Sequence, residues 1–252
     1  MRKRNFNQSR AAGFSLIELM IAMTITLVVL GIASTLLASA FNVRRREDQR
    51  TDALADVQRA LTTMSHEIAN AGFNLDPTKT NGIVDADSQV DANGNGTIRV
   101  RANLNKFLSE DDKGNPYSAA AKAGIGVAGE DAGEDIKYFV VPTTETSYLA
   151  RYDKYGGLPK VLANRIDSFR VQYYDERVTY TNGTCQAPIS DVRNSAGALE
   201  NQVNPSQARY VVLTLCVKLD AIGTPNTAGY QPASTVLLAS DVALRNAYGV
   251  KY

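Results

Sequence analysis

From Leu19 to Val43 the chain runs for 25 residues without a charge. As a helix rising about 1.5 Å per residue, that run is roughly 37 Å long, against a bilayer hydrocarbon core of about 30 Å. It can span a membrane with some tilt. Arg2, Lys3, Arg4 and Arg10 precede it with no acidic residue among the first thirteen, which favours an N-terminus kept in the cytoplasm. Arg44, Arg45 and Arg46 follow it and weaken that bias, while Glu47 and Asp48 partly offset them. A conventional secretory signal has an apolar stretch of about 7–15 residues and a small-residue cleavage site. This run is longer and continues into a helical pattern, so cleavage after it is not expected.

Glu18 sits among Phe14, Leu16, Ile17, Leu19 and Met20. A carboxylate in such surroundings is costly unless it is paired or held near the interface. Two readings stay open: a residue marking the cytoplasmic rim, or a group awaiting a cation that no basic residue inside the span supplies.

The segment Arg10-Ala11-Ala12-Gly13 followed by Phe14-Ser15-Leu16-Ile17-Glu18-Leu19-Met20 resembles the type IV prepilin cleavage motif. The resemblance implies that prepilin peptidase cuts between Gly13 and Phe14, and that the new Phe14 amine is N-methylated. It also implies an assembly role for Glu18, whose carboxylate meets the N-terminal ammonium of a neighbouring subunit. Pairing two charges that are expensive in lipid makes docking directional.

Beyond the arginines, Leu54, Val57, Leu61, Met64 and Ile68 recur at intervals of three and four, one stripe of an amphipathic helix. Gly72 is a plausible C-cap, so one helix from about Phe14 to Ala71 is expected. His66-Glu67 begins a HExxH pattern, but Asn70 stands where the second His would be and the chain has no other His. Metal hydrolysis therefore has no support.

Residues 72–134 hold 9 of the 18 glycines and read as irregular, with one strand at Thr97–Ala102. Further strands are expected at Ile136–Val141, Ser147–Tyr152, Ser168–Tyr174, Arg209–Leu219 and Thr235–Leu244. In the fourth of these, Val211, Leu213, Leu215, Val217 and Leu219 form one apolar face suited to covering a helix. The expected class is α+β: a long N-terminal helix laid on an antiparallel sheet. The segments are a leader at 1–13, a membrane or filament-core helix at 14–43, its amphipathic continuation at 44–72, and a soluble β-rich domain at 73–252.

Leu54–Asn74, Leu162–Tyr174 and Ala243–Asn246 are similar to the PilW-type minor pilins and, more distantly, to the secretion pseudopilin GspJ. That likeness implies a pilin-like fold and a low-copy, non-catalytic subunit that helps initiate or cap a type IV pilus. The alternative is a pseudopilin at the tip of a type II secretion filament. The implied partners are other minor pilins, the major pilin, prepilin peptidase, the inner-membrane assembly platform and the membrane itself. The implied location is the inner membrane, with the domain in the periplasm, and then the pilus, at its tip.

Two loops carry further chemistry. Cys185 and Cys216 are the only cysteines, and an exported domain meets oxidising conditions, so a bridge is expected over two buried free thiols. Closing a loop of 32 residues, it would contribute about 3.7 kcal/mol on the chain-entropy model. Asp91, Asn93, Asn95 and Thr97 are spaced like the first half of a calcium loop, which makes Ca2+ a candidate cofactor. Position twelve, however, is Ala102, and Asp85, Asp87 or the acids Glu110–Asp112 would have to substitute for the missing Glu. An Asn-Gly turn leading into a strand explains the same residues. A net charge of +1 supplies no global basic field, so nucleic acid is not an expected partner. With no P-loop, GxSxG or CxxC, no enzyme activity is expected.

Overall fold

The computed structural model describes residues 14–75, 80–91, 94–104, 132–144, 146–227 and 229–247. They form one helix, α1 (Leu16–Ala69), and nine strands: β1 (Ile98–Arg101), β2 (Asp135–Val141), β3 (Tyr148–Asp153), β4 (Lys160–Asn164), β5 (Ile166–Tyr174), β6 (Thr179–Asn182), β7 (Ile189–Arg193), β8 (Tyr210–Leu219) and β9 (Ser234–Ala243). The chain divides into two compact units. Among the described residues, those up to Glu47 and those of the 221–232 loop form one; those from Asp48 to Asp220 and from Ala233 onward form the other.

In the larger unit the C-terminal part of α1 lies on the sheets. Val57, Met64 and Ile68 are fully buried, with Ala53, Ala60 and Leu61 beside them on the same face. Of the stripe that the spacing of apolar residues predicts, Val57, Leu61, Met64 and Ile68 are buried while Leu54 is half-buried, and truncating a residue such as Met64 to Ala would cost about 2–5 kcal/mol. α1 stops where Gly72 turns the chain with φ +76. Gly72 donates its N–H to Arg101 O at 2.9 Å, and Gly82 lies backbone to backbone against it, with no room for a Cβ on either residue. The exposed carbonyls at the helix end are met from the far end of the chain. Arg245 N–H donates to Ala69 O at 3.0 Å, and the Asn246 amide reaches Asn70 O and Ala71 O at 3.4 and 3.3 Å. The Ala243–Asn246 segment thus acts as a remote C-cap.

The expected class, a helix on antiparallel strands, is the one observed, but the strands are divided among several sheets and not joined in one. They form a four-stranded sheet in the order β1-β2-β3-β4, a three-stranded sheet in the order β5-β8-β9, and a separate β6-β7 hairpin, with all pairings antiparallel. The physical break is at Arg165. It adopts φ +59 between β4 and β5, a left-handed conformation uncommon for a residue with a Cβ, so the chain leaves one sheet and starts the other. Both sheets contribute to one core with α1: Ile98, Val100, Tyr138 and Leu149 from the first, Phe169, Leu213, Leu215 and Val242 from the second.

β8 shows a second departure. Its Val211–Leu219 face covers the helix as expected, but Tyr210, Val212, Thr214 and Cys216 on the opposite face are buried as well. A smaller cluster of Tyr174, Val178, Ile189, Tyr210 and Val212 covers that side, with Tyr180 and Val192 from the β6-β7 hairpin against it. β8 is a central strand packed on both faces, which is why nearly every residue in it is apolar.

Candidate functional site

The start of α1 carries one half of a capping box, the bond from the Glu18 side chain back to the residue before the helix. Ser15 is the residue before the helix, and its N–H donates to Glu18 Oε2 at 2.9 Å. Glu18 at the third helical position is where an acidic side chain satisfies an orphan amide and faces the positive end of the helix dipole. Around it Phe14, Leu16, Ile17, Leu19 and Met20 are all exposed, and the apolar side chains continue exposed through Leu37. α1 is the one helix among the described residues long and apolar enough to cross a membrane. Gly13, the other half of the expected cleavage bond, lies outside the described residues.

Further along α1, Glu67 stands on the polar side of the stripe but is not a solvated surface charge. It accepts hydrogen bonds from Tyr138 Oη and from Arg151 Nε, the latter at 3.0 Å, and Arg151 Nη2 lies 3.0 Å from its other oxygen. One carboxylate therefore ties the helix to β2 and β3 at once. Burial, with the Glu67 charge second, pushes the Tyr138 hydroxyl far above its ordinary range. His66, beside it, is exposed and takes no part.

A second charged group lies on the first sheet. Arg99 donates to Asp135 through Nε and Nη2 at 2.6 and 2.7 Å, and to Asp87 through Nη1 at 2.6 Å. Arg101 Nε reaches Asp135 at 3.2 Å, and Lys137 Nζ reaches Asp87 at 2.8 Å. The Lys137 hydrogen bond, then that of Arg99, hold the Asp87 carboxyl below its ordinary value. Burial pushes Asp135 up, but the hydrogen bond and charge of Arg99 outweigh it, and Asp135 too lies below the ordinary value. Opposite charges are matched and hydrogen-bonded throughout, an arrangement that holds β1, β2 and the 3-10 turn Asp85–Asp87 in register.

The Asp91 loop is built as a turn. Asp91 Oδ1 accepts from Asn95 N–H at 2.8 Å, and Asp91 O accepts from Gly94 N–H at 3.0 Å. Gly94 adopts φ +79. The Asn95 side-chain oxygen accepts from Phe169 N–H at 3.1 Å and so pins the turn to β5. The Thr97 hydroxyl is 2.9 Å from both Asp87 O and Gln89 O. Each of these oxygens thus serves the backbone. Asn93 and the acids Glu110–Asp112 lie outside the described residues, and Asp87 is engaged by Arg99 and Lys137.

Cys185 and Cys216 are joined by a disulfide, their Cα atoms 5.6 Å apart. Both are buried, and the bridge fastens the loop before β7 to the outer face of β8. The remaining oxygen-rich features yield no catalytic arrangement among the described residues: the charged clusters are closed ion pairs with no nucleophile–base pair beside them.

Comparison with known proteins agrees with the reading of the N-terminus. Residues 8–34 match the family model described as the prokaryotic N-terminal methylation motif. No curated protein matches the chain. Among solved structures, a type IV-like pilin from Thermus thermophilus aligns with 10% identity over 77% of this chain and 97% of that chain, at a TM-score of 0.36.

Proposed function

We propose that the chain is a type IV pilin-like structural subunit, a minor pilin that helps initiate or cap assembly of a type IV pilus. The observation that carries this reading is the methylation motif over residues 8–34, because it brackets three things that act together. It contains the Gly13–Phe14 bond for a peptidase, the Phe14 amine for methylation, and Glu18 at the start of an exposed apolar helix. A helix whose apolar residues are bare from Leu19 to Leu37 needs lipid or neighbouring apolar helices around it. Membrane storage followed by transfer into a helix-cored filament satisfies both needs. In this reading Glu18 exchanges its own Ser15 amide for the ammonium of an adjacent subunit. The domain packed on the second half of α1 is the exported part, consistent with its disulfide.

The experiment is N-terminal mass spectrometry of the protein recovered from its native host, with surface filaments sheared off and analysed separately. The expected result is a chain beginning at methylated Phe14 and present in the sheared filament fraction. Its absence from sheared filaments, with loss of protein secretion in a deletion strain whose pili are intact, would instead assign it to a type II secretion pseudopilus. A mature chain beginning at Met1 would overturn both assignments.

A further inference from the structure

The loop between β8 and β9 belongs with the N-terminal half of α1, not with the strands it joins. Ala221–Pro232 contains no charged residue, in a chain where 21% of residues are charged. It is closed on itself: Ile222 and Gln231 exchange two backbone hydrogen bonds of 2.9 Å, and Tyr230 N–H donates to Thr227 O at 3.2 Å. It lies along one stripe of the helix. A Cβ on Gly229 would come 2.6 Å from Ser39 Cα, so only Gly permits that approach. Gly223 faces Asn42 in the same way, at 3.3 Å. Arg46 Nη2 donates to Pro232 O at 2.7 Å, and Arg46 is only 8% exposed.

The position of this contact along the helix is informative. A hydrocarbon core of about 30 Å takes about 20 helical residues. Counted from Leu19, those residues end near Ala38, yet the uncharged run continues to Val43. The loop first meets the helix at Ser39. It therefore begins where hydrocarbon gives way to headgroups, beside the residues of the run that the core does not need. Its chemistry suits that layer. The loop is uncharged, it closes part of its backbone hydrogen bonding internally, and it carries Tyr230 and Ile222, both half-buried. Aromatic side chains with a polar tip concentrate at this depth. Arg44 and Arg45 are exposed on the helix beside the loop.

We propose that Ala221–Pro232 is a membrane-docking loop. It rests on the lipid headgroup layer at the point where α1 emerges, and it sets the depth to which the helix sinks. The proposal rests on the reading of Leu19–Ala38 as a membrane span.

The chain has no Trp, so a single introduced Trp reports its own surroundings. The full chain is reconstituted in phosphatidylglycerol–phosphatidylethanolamine vesicles as three variants: Tyr230→Trp, Leu27→Trp in the span, and Tyr155→Trp in the β3–β4 turn. The expected result for Tyr230→Trp is emission blue-shifted from that of Tyr155→Trp. Quenching should be severalfold stronger with lipids brominated near the glycerol end of the acyl chain than near the methyl end, and iodide in the water should quench poorly. Leu27→Trp should be quenched best by the deep bromines. If Leu27→Trp is quenched by lipid while Tyr230→Trp is quenched only by iodide, the loop proposal is overturned and the span stands. Shelter of Tyr230→Trp from both quenchers would mean that protein covers the loop, which also overturns it. If Leu27→Trp is not quenched by lipid, the span fails and the loop proposal with it. Should Tyr230→Trp leave its cysteines open to thiol labelling, a sign of misfolding, Ile222→Trp replaces it and is read by the same criteria.

Discussion

Glu18 accepts a hydrogen bond from the Ser15 N–H at 2.9 Å, inside the first turn of its own helix. The carboxylate assigned to subunit pairing is thus engaged before any subunit arrives. A capping interaction with a backbone amide is worth about 1 kcal/mol, so an ammonium ion can displace it where water is excluded. The two roles separate by substitution. Glu18→Gln keeps an acceptor for Ser15 but carries no charge, whereas Glu18→Ala loses both. Both variants should insert in the membrane as well as the parent, since removing a charge from an apolar setting is favourable. Both should be depleted from sheared filaments if charge pairing drives assembly. Normal incorporation of Glu18→Gln would reduce Glu18 to a helix cap.

Acid should weaken the domain through Asp87 and Asp135. Both carboxyls titrate below the ordinary value of 3.8 in the folded state. Depressed folded values mean that their contribution is complete above the unfolded value, about pH 4, and is lost as pH falls through the folded values. The Asp135 side chain is 1% exposed and faces two arginines, so Asp135→Asn should cost about 3 kcal/mol at neutral pH. The gap between parent and variant should narrow as pH falls below the unfolded carboxyl value, because protonation of Asp135 removes the charge that the variant lacks. Urea denaturation across pH 2–7 checks this. A stability gap that persists undiminished in acid would place the cost in packing rather than in charge.

Calcium should leave the domain's melting temperature unchanged. The Asn95 side-chain oxygen is spent on Phe169 N–H and Asp91 Oδ1 on Asn95 N–H, so a cation using these two atoms would compete with backbone donors. If the loop did bind, a hundredfold excess of calcium over Kd would add about 2.7 kcal/mol. Thermal scans of the domain in millimolar calcium and in chelator decide between the two. An upward shift that Asp91→Ala removes would establish the site.

What is legible in the sequence follows the strength of each local pattern. The α1 stripe and the alternation in β8 are long and apolar, and their period marks the face that each turns to the main core; the burial of the other face of β8 under Val178, Ile189 and the β6-β7 hairpin leaves no such mark. β4, β6 and β7 escape because they are short and lie at edges. Lys160–Asn164 leaves Val161 52% exposed, and Thr179–Asn182 shows no apolar alternation. Such strands are held by their partners, a non-local cause that periodicity does not register. Ser15-Leu16-Ile17-Glu18 carries a visible capping-box pattern, overshadowed by the cost of an acid in an apolar run. Glu67 has no signal at all. A lone acid on a polar helix face looks solvated until the sheets bring Tyr138 and Arg151 to it. The sheet break at Arg165 is hidden for a similar reason: nothing in its side chain announces a left-handed backbone, which is imposed by the two sheets on either side.

The disulfide and the limits of the folded domain can be tested together. A fragment starting at Glu47 discards the bare apolar helix and keeps Ala53, Val57, Met64 and Ile68 over the inner face of β8. It should fold as a soluble monomer. A fragment starting after Gly72 uncovers that face, with Val211, Leu213 and Leu215 fully buried in the intact chain, and should aggregate. In the longer fragment the bridge fixes the Cys185 loop to the outer face of β8, where Cys216 lies opposite Ser168 and Leu237 in the neighbouring strands. Removing the link frees a loop of 32 residues in the unfolded chain, a loss of about 3.7 kcal/mol in the entropy model. Reduction should therefore shift the urea midpoint down, with a slope equal to or steeper than that of the bridged fragment, because the folded surface stays the same while the unfolded ensemble is released and expands. Thiol labelling of the unfolded, unreduced fragment after oxidising export should modify neither cysteine. Labelling of both would remove the bridge, and with it the tie that holds the 185 loop against β8.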